Sequence, residues 1–94
     1  MPGPFSLIVP ADRRYRVLAP ELAEKYAELA GGTAADGPVL AASIAAAMDK
    51  LCPESTAGEH IDLTFRPEPT GLVVEIHCEG RSTIVRHLLS AEQR

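Results

Sequence analysis

Tryptophan is absent from this 94-residue chain, and phenylalanine and tyrosine together supply four residues. A core of large rings is therefore excluded, and the interior must be built from aliphatic and methyl groups, with 14 alanines among them. Cysteine occurs twice, too rarely for a disulfide scaffold. The opening Met1-Pro2-Gly3-Pro4-Phe5 lacks the basic and long apolar regions of a secretory signal, so a reducing cytoplasm is the expected compartment. Basic charge is also scarce. Nine Lys and Arg against 13 Asp and Glu give a net charge of -4, which removes the long-range attraction that a nucleic-acid or anionic-membrane binder uses. The longest nearly apolar run, Pro38 to Met48, is about half of the roughly 20 residues a membrane helix needs. No repeat or linker divides the chain, so one domain over residues 1–94 is expected, with a flexible tail from about residue 90.

What is present is punctuated by Pro and Gly. Phe5 to Pro10 is a β-rich run closed by proline, suited to an edge strand. Asp12 can cap a helix whose apolar positions are Tyr15, Leu18, Leu22, Tyr26 and Leu29 and which stops at Gly31-Gly32; Pro20 either kinks it, the favoured reading, or marks its start at Ala19-Pro20 after a separate turn. A second helix is expected from Asp36 to Leu51, with Pro38 in its first turn, Pro53 as its stop, and Leu40, Ile44, Ala47, Met48 and Leu51 as its buried stripe. His60 to Arg66 and Leu72 to Cys78 alternate around Pro67-Glu68-Pro69-Thr70-Gly71, the pattern of an antiparallel hairpin with Gly71 free to take positive φ. Charge selects its register. Leu63 opposite Ile76 sets Asp62 against His77, whereas a slip of two residues would oppose Asp62 and Glu75. Ser82 or Thr83 then caps a short helix carrying Ile84, Val85, Leu88 and Leu89. The expected architecture is a two-layer α+β sandwich, a small and mostly antiparallel sheet covered on one face by helices in the order β-α-α-β-β-α.

Four segments carry a family likeness. Phe5-Ser-Leu-Ile-Val-Pro-Ala-Asp12, Leu40-Ala-Ala-Ser-Ile-Ala-Ala-Ala-Met48, Leu72-Val-Val-Glu-Ile-His-Cys-Glu-Gly80 and Ser82-Thr-Ile-Val-Arg-His-Leu-Leu89 follow one another over about 85 residues. Together they resemble the front half of the GHKL (histidine kinase-like) ATPase fold, in the version of the small serine kinases that act as anti-sigma factors. The resemblance implies a bacterial-type signalling role. It also marks where nucleotide chemistry would sit, and there the chain departs from the family. Ile44 and Met48 occupy the positions of the Glu that orients a water or hydroxyl and the Asn that holds Mg²⁺. Aliphatic groups do neither. Cys78 replaces the adenine-recognising Asp, Gly80 keeps the first Gly of the strand-end motif, Ser82 replaces the second, and no Gly-rich lid follows. The chain also stops where the family continues with further strands, which predicts a smaller sheet with an uncovered edge that self-association would cover.

The remaining candidates have plain alternatives. His60, His77, Cys52 and Cys78 are ligand types, yet His77 and Cys78, adjacent on a strand, point to opposite faces, so no metal site is assigned. Cys78 reads as a small buried hydrophobe. A Cys52–Cys78 disulfide fits in space but is disfavoured by a reducing compartment. Ser43, Ser82 and Thr83 have no base beside them. His87 could accept a phosphoryl group if it lay on an exposed helix face. Arg13, Arg14 and Arg16 sit unfavourably at a helix N-terminus, which marks either a partner contact or a solvated face. The expected function is that of a noncatalytic, regulatory protein-interaction domain, a pseudoenzyme relative of the anti-sigma kinases without ATP or any cofactor, partnered by a protein or by itself as a homodimer. A histidine phosphotransfer protein or a residual ATP-binding kinase is the alternative.

Overall fold

The computed structural model describes residues 3–52, 59–78 and 80–89, with the backbone alone for Arg13. The tail expected beyond residue 90 and the stop expected at Pro53 lie outside the described residues. Seven elements follow in order: β1 (Phe5–Pro10), α1 (Arg13–Arg16), α2 (Leu18–Leu29), α3 (Asp36–Leu51), β2 (His60–Glu68), β3 (Gly71–Cys78) and β4 (Arg81–Leu88). The strands form one antiparallel meander in the spatial order β1-β2-β3-β4, so β1 and β4 are its edges. The α+β sandwich is as expected, with a closing element that differs.

β1 pairs with β2 from Phe5 opposite Phe65 to Pro10 opposite His60. The hairpin takes the charge-selected register, Leu63 opposite Ile76 and Asp62 opposite His77, and its strands reach closer to the turn than expected, to Glu68 opposite Gly71. Gly71 is not the left-handed residue of that turn. It sits in β3 because a Cβ there would collide with the His87 carbonyl of β4, so the residue is needed for close strand approach. Positive φ falls instead at Gly31 and at Gly80, the latter in the β3–β4 turn.

The expected closing helix is a strand. Ser82, Thr83, Ile84, Val85, Leu88 and Leu89 do carry apolar pairs four residues apart, yet the β-branched run Thr83-Ile84-Val85 pairs with β3 along its length, Val85 opposite Val74 and Ser82 opposite His77. Ser82 and Thr83 therefore cap nothing.

The first helix is two helices rather than one kinked rod. Asp12 caps α1 as expected, its carboxylate accepting from the Arg14 amide at 2.8 Å. The chain then turns at Val17, which places Pro20 in the first turn of α2, where its missing N–H costs no bond. α2 ends in a Schellman motif, the Gly31 amide donating to the Glu28 carbonyl and the Gly32 amide to that of Ala27. The buried face of α2 is Ala19, Ala23, Tyr26 and Ala27, while Tyr15, Leu18 and Leu29 are exposed. Small residues let α2 approach α3 closely, with Gly37 against the Glu24 backbone. α3 spans its expected range, buries Leu40, Ile44 and Met48, and leaves Ala47 and Leu51 half-buried.

The core lies between these helices and the inner sheet face, where Ile61, Leu63, Phe65, Leu72, Val74, Ile76 and Cys78 meet Leu40, Ile44 and Met48. Three of the four aromatic rings gather at one end of it. Phe5 stacks on Phe65 with centroids 4.7 Å apart, and Tyr26 meets Phe5 edge-on at 5.0 Å. The outer sheet face carries the ion pairs Arg66–Glu75 at 2.6 Å and Arg86–Glu68 at 3.3 Å beside the exposed side chains of Ile8, Ile84 and Leu88.

Candidate interaction site at the β4 edge

α3 crosses the inner face beside β4 without covering it. Between them runs a groove of about 820 Å³, lined by Ser43, Ala46, Ala47, Lys50, Thr83 and Val85 among others. The helix contributes methyl groups because its Ala positions turn toward the strand while Leu40, Ile44 and Met48 turn into the core. The strand contributes alternate side chains, Thr83 and Val85, from its inner face. On the outer face of the same strand Ile84 and Leu88 are 54% and 76% exposed. Among the described residues β4 has no neighbour on its outer side, which leaves its outward N–H and C=O groups available for pairing.

One end of β4 is tied down. His87 points inward, 13% exposed, with Nε2 at 2.9 Å from Asp36 Oδ1. Asp36, the first residue of α3, is buried, its Oδ2 accepting from the Thr33 amide at 2.7 Å and hydroxyl at 3.2 Å in the turn that precedes the helix. His87 thus stands on a strand and joins it to the start of α3, in contrast to the exposed helix face expected of a phosphoryl acceptor.

The five positions matched to the family's nucleotide site do not come together as a cleft. Ile44, Met48 and Cys78 are closed within the core, Gly80 lies in a turn, and Ser82 is exposed on the outer sheet face opposite His77.

The basic cluster dissolves into separate roles. Arg14 is exposed, reaches back to Asp12 at 3.0 Å and lies over Tyr15. Its side chain, followed by its amide, holds the Asp12 carboxyl below the usual carboxylate range. Arg16 is buried, its side chain 7% exposed, donating to the Ala11 carbonyl at 2.7 Å, the Cys52 carbonyl at 2.6 Å and Asp49 at 3.4 Å. It is a strut between α1 and the end of α3. Nothing in its sequence neighbourhood signals this, because its two shortest bonds go to backbone oxygens, one of them 36 residues away.

The four ligand-type residues also sort by face. His60 and His77 are exposed on the outer side, His77 Nε2 3.7 Å from Glu75. Cys52 and Cys78 meet inside, sulfurs 2.8 Å apart, with Glu59 Oε1 3.9 Å from Cys52 Sγ. The ligand atoms of Cys52, Glu59 and Cys78 lie within 4.8 Å of one another, a grouping that the sequence left unseen because Glu59 had no role in it. Burial first, then the neighbouring Cys52 thiol, pushes the Cys78 thiol up to about 11.

The fold and this groove define a small α+β sandwich whose open antiparallel sheet has one accessible edge beside a helix. No family model, curated protein or solved structure matches the chain. No helix among the described residues is long and apolar enough to cross a membrane.

Proposed function

We propose that the chain is a noncatalytic, regulatory protein-interaction domain that adds an extended segment to β4, and that this segment is the β4 of a second copy. The unpaired β4 edge, with the apolar groove on its inner side, carries this reading. Strand addition uses the two together: outward backbone groups supply affinity, and pockets for alternate side chains supply specificity. The two edges differ in a way that favours β4. β1 is bracketed by Pro4 and Pro10, whereas β4 contains no proline.

A second copy suits this edge chemically. Antiparallel self-pairing with Val85 on the two-fold axis sets Ile84 opposite Arg86 and Thr83 opposite His87, so no two charged arginines face each other. Small size adds to the case, since a domain of this length buries only roughly 60–65% of its unfolded surface.

The kinship proposed with anti-sigma-type kinases rests on the segments from Phe5 to Gly80, since Ser82 to Leu88 lie on a strand where that family has a helix. Loss of ATP binding is supported by the burial of Ile44, Met48 and Cys78 and by the aliphatic side chains at the two helix positions, which offer magnesium no oxygen ligand of their own.

Sedimentation velocity at tens of micromolar is expected to give a dimer for the natural chain and a monomer for Ile84→Asp, with unchanged circular dichroism. A monomeric natural chain would overturn the self-pairing. Calorimetric titration with Mg-ATP is expected to give no saturable heat, and stoichiometric binding would sink the noncatalytic reading.

A further inference from the structure

Cys52 caps the C-terminal end of α3 and Cys78 ends β3. Both residues are about 1% exposed, and both are thiols. Their 2.8 Å separation is shorter than two sulfurs keep in ordinary packing. A shared zinc ion would also hold them farther apart: two Zn–S bonds of about 2.3 Å at a tetrahedral angle place the sulfurs about 3.8 Å from each other. The spacing therefore suits a covalent bond between the sulfurs better than a metal between them.

We propose that Cys52 and Cys78 form a reversible intramolecular disulfide, a covalent modification site that clamps the last turn of α3 to the end of β3. The site is independent of the β4 docking reading, and its co-reactant is a low-molecular-weight disulfide.

Cys52 is the attacking residue. Glu59 Oε1 accepts from its Sγ and is half-buried, placing a carboxylate where the thiol proton can leave toward solvent. The Cys52 thiolate attacks one sulfur of the small disulfide. A mixed disulfide forms, the small S–S bond breaks, and the departing thiolate takes the proton held by Glu59. Cys78 sulfur then attacks Cys52 sulfur, the protein disulfide forms, and the second small thiolate leaves with the Cys78 proton. Two electrons and two protons pass from the protein to the small disulfide, which becomes two thiols. Burial of both sulfurs makes the first attack depend on local opening, so exchange in the folded state is slow.

Refolding removes that barrier and tests the equilibrium directly. The full chain is unfolded in urea and refolded in glutathione, reduced over oxidised in roughly tenfold excess, then unfolded again in urea at mildly alkaline pH with excess iodoacetamide. Peptide mass spectrometry is expected to show most chains with neither cysteine alkylated and a Cys52–Cys78 cross-linked peptide two hydrogens lighter than the thiol pair. The oxidised chain is expected to melt about 5 °C above the same chain kept in dithiothreitol. In Cys52→Ala, Cys78 is expected to be alkylated throughout. A majority of doubly alkylated natural chains would overturn the proposal, as would glutathione adducts or disulfide-linked dimers in its place. Refolding with one equivalent of zinc sulfate is expected to leave the cross-link yield unchanged, and retained zinc with both thiols intact would assign the pair to a metal instead.

Discussion

Arg16 shows how far a side chain's role can lie from its composition class. It is one of three arginines within four residues, yet it is the one taken into the interior, where its planar fork joins carbonyls from two segments that no hydrophobic contact would align. Truncating it strands buried acceptors. Arg16→Ala is expected to cost about 2–4 kcal/mol in urea unfolding, with Arg16→Lys recovering part of that because an ammonium cannot span both carbonyls in the same geometry. Arg14→Ala, at an exposed cap, is expected to leave the urea midpoint nearly unchanged. Hydropathy could not separate the two, since spacing along a helix says which face a residue occupies and not which carbonyls wait there. Cys78 was legible for the opposite reason: alternation along β3 sends it inward whatever its chemistry.

At the scale of elements, sheet pairing was readable wherever two constraints agreed. The hairpin register followed from hydrophobic alternation and from the Asp62–His77 match, and either alone would have admitted a slip. β4 had one weak constraint. Its apolar pairs fit a helical repeat, and only the long partner strand β3, itself buried on both faces over Leu72, Val73 and Val74, decides for extended backbone. The α1–α2 break escaped for a related reason, because Pro20 is compatible with a kink or with a first turn and the choice lies in how α1 meets β1. Gly71 is the point at which β3 and β4 depend on sequence most sharply. Gly71→Ala is expected to push the two strands apart at His87, lowering stability by about 2 kcal/mol or more and speeding amide exchange in β4 before β2, a pattern that hydrogen exchange would read residue by residue.

For the whole molecule, the titration of buried acids sets an alkaline limit. Cys78 holds its proton up to about 11 when folded against an ordinary value of 9.0. The unfolded chain therefore releases that proton first as pH rises. The stability it contributes is complete below about pH 9 and is lost between there and about pH 11, by on the order of 2 kcal/mol. Tyr26, raised by burial, acts in the same direction above its ordinary value of 10.0. With both cysteines kept reduced by dithiothreitol, urea midpoints measured from pH 8 to 11 are expected to fall for the natural chain and to fall less steeply for Cys78→Ala, whatever that variant's starting stability.

The unequal borders of the sheet limit how large an assembly strand addition can build. An edge that welcomes a neighbour would, if matched by a second on the far side, let copies string together without end, as fibres do. Here the far border is fenced by Pro4 and Pro10, rings that bring no amide hydrogen to a ladder. Under the proposed self-pairing, two copies meeting at β4 would use up the hospitable border on each, and growth would halt at a closed pair.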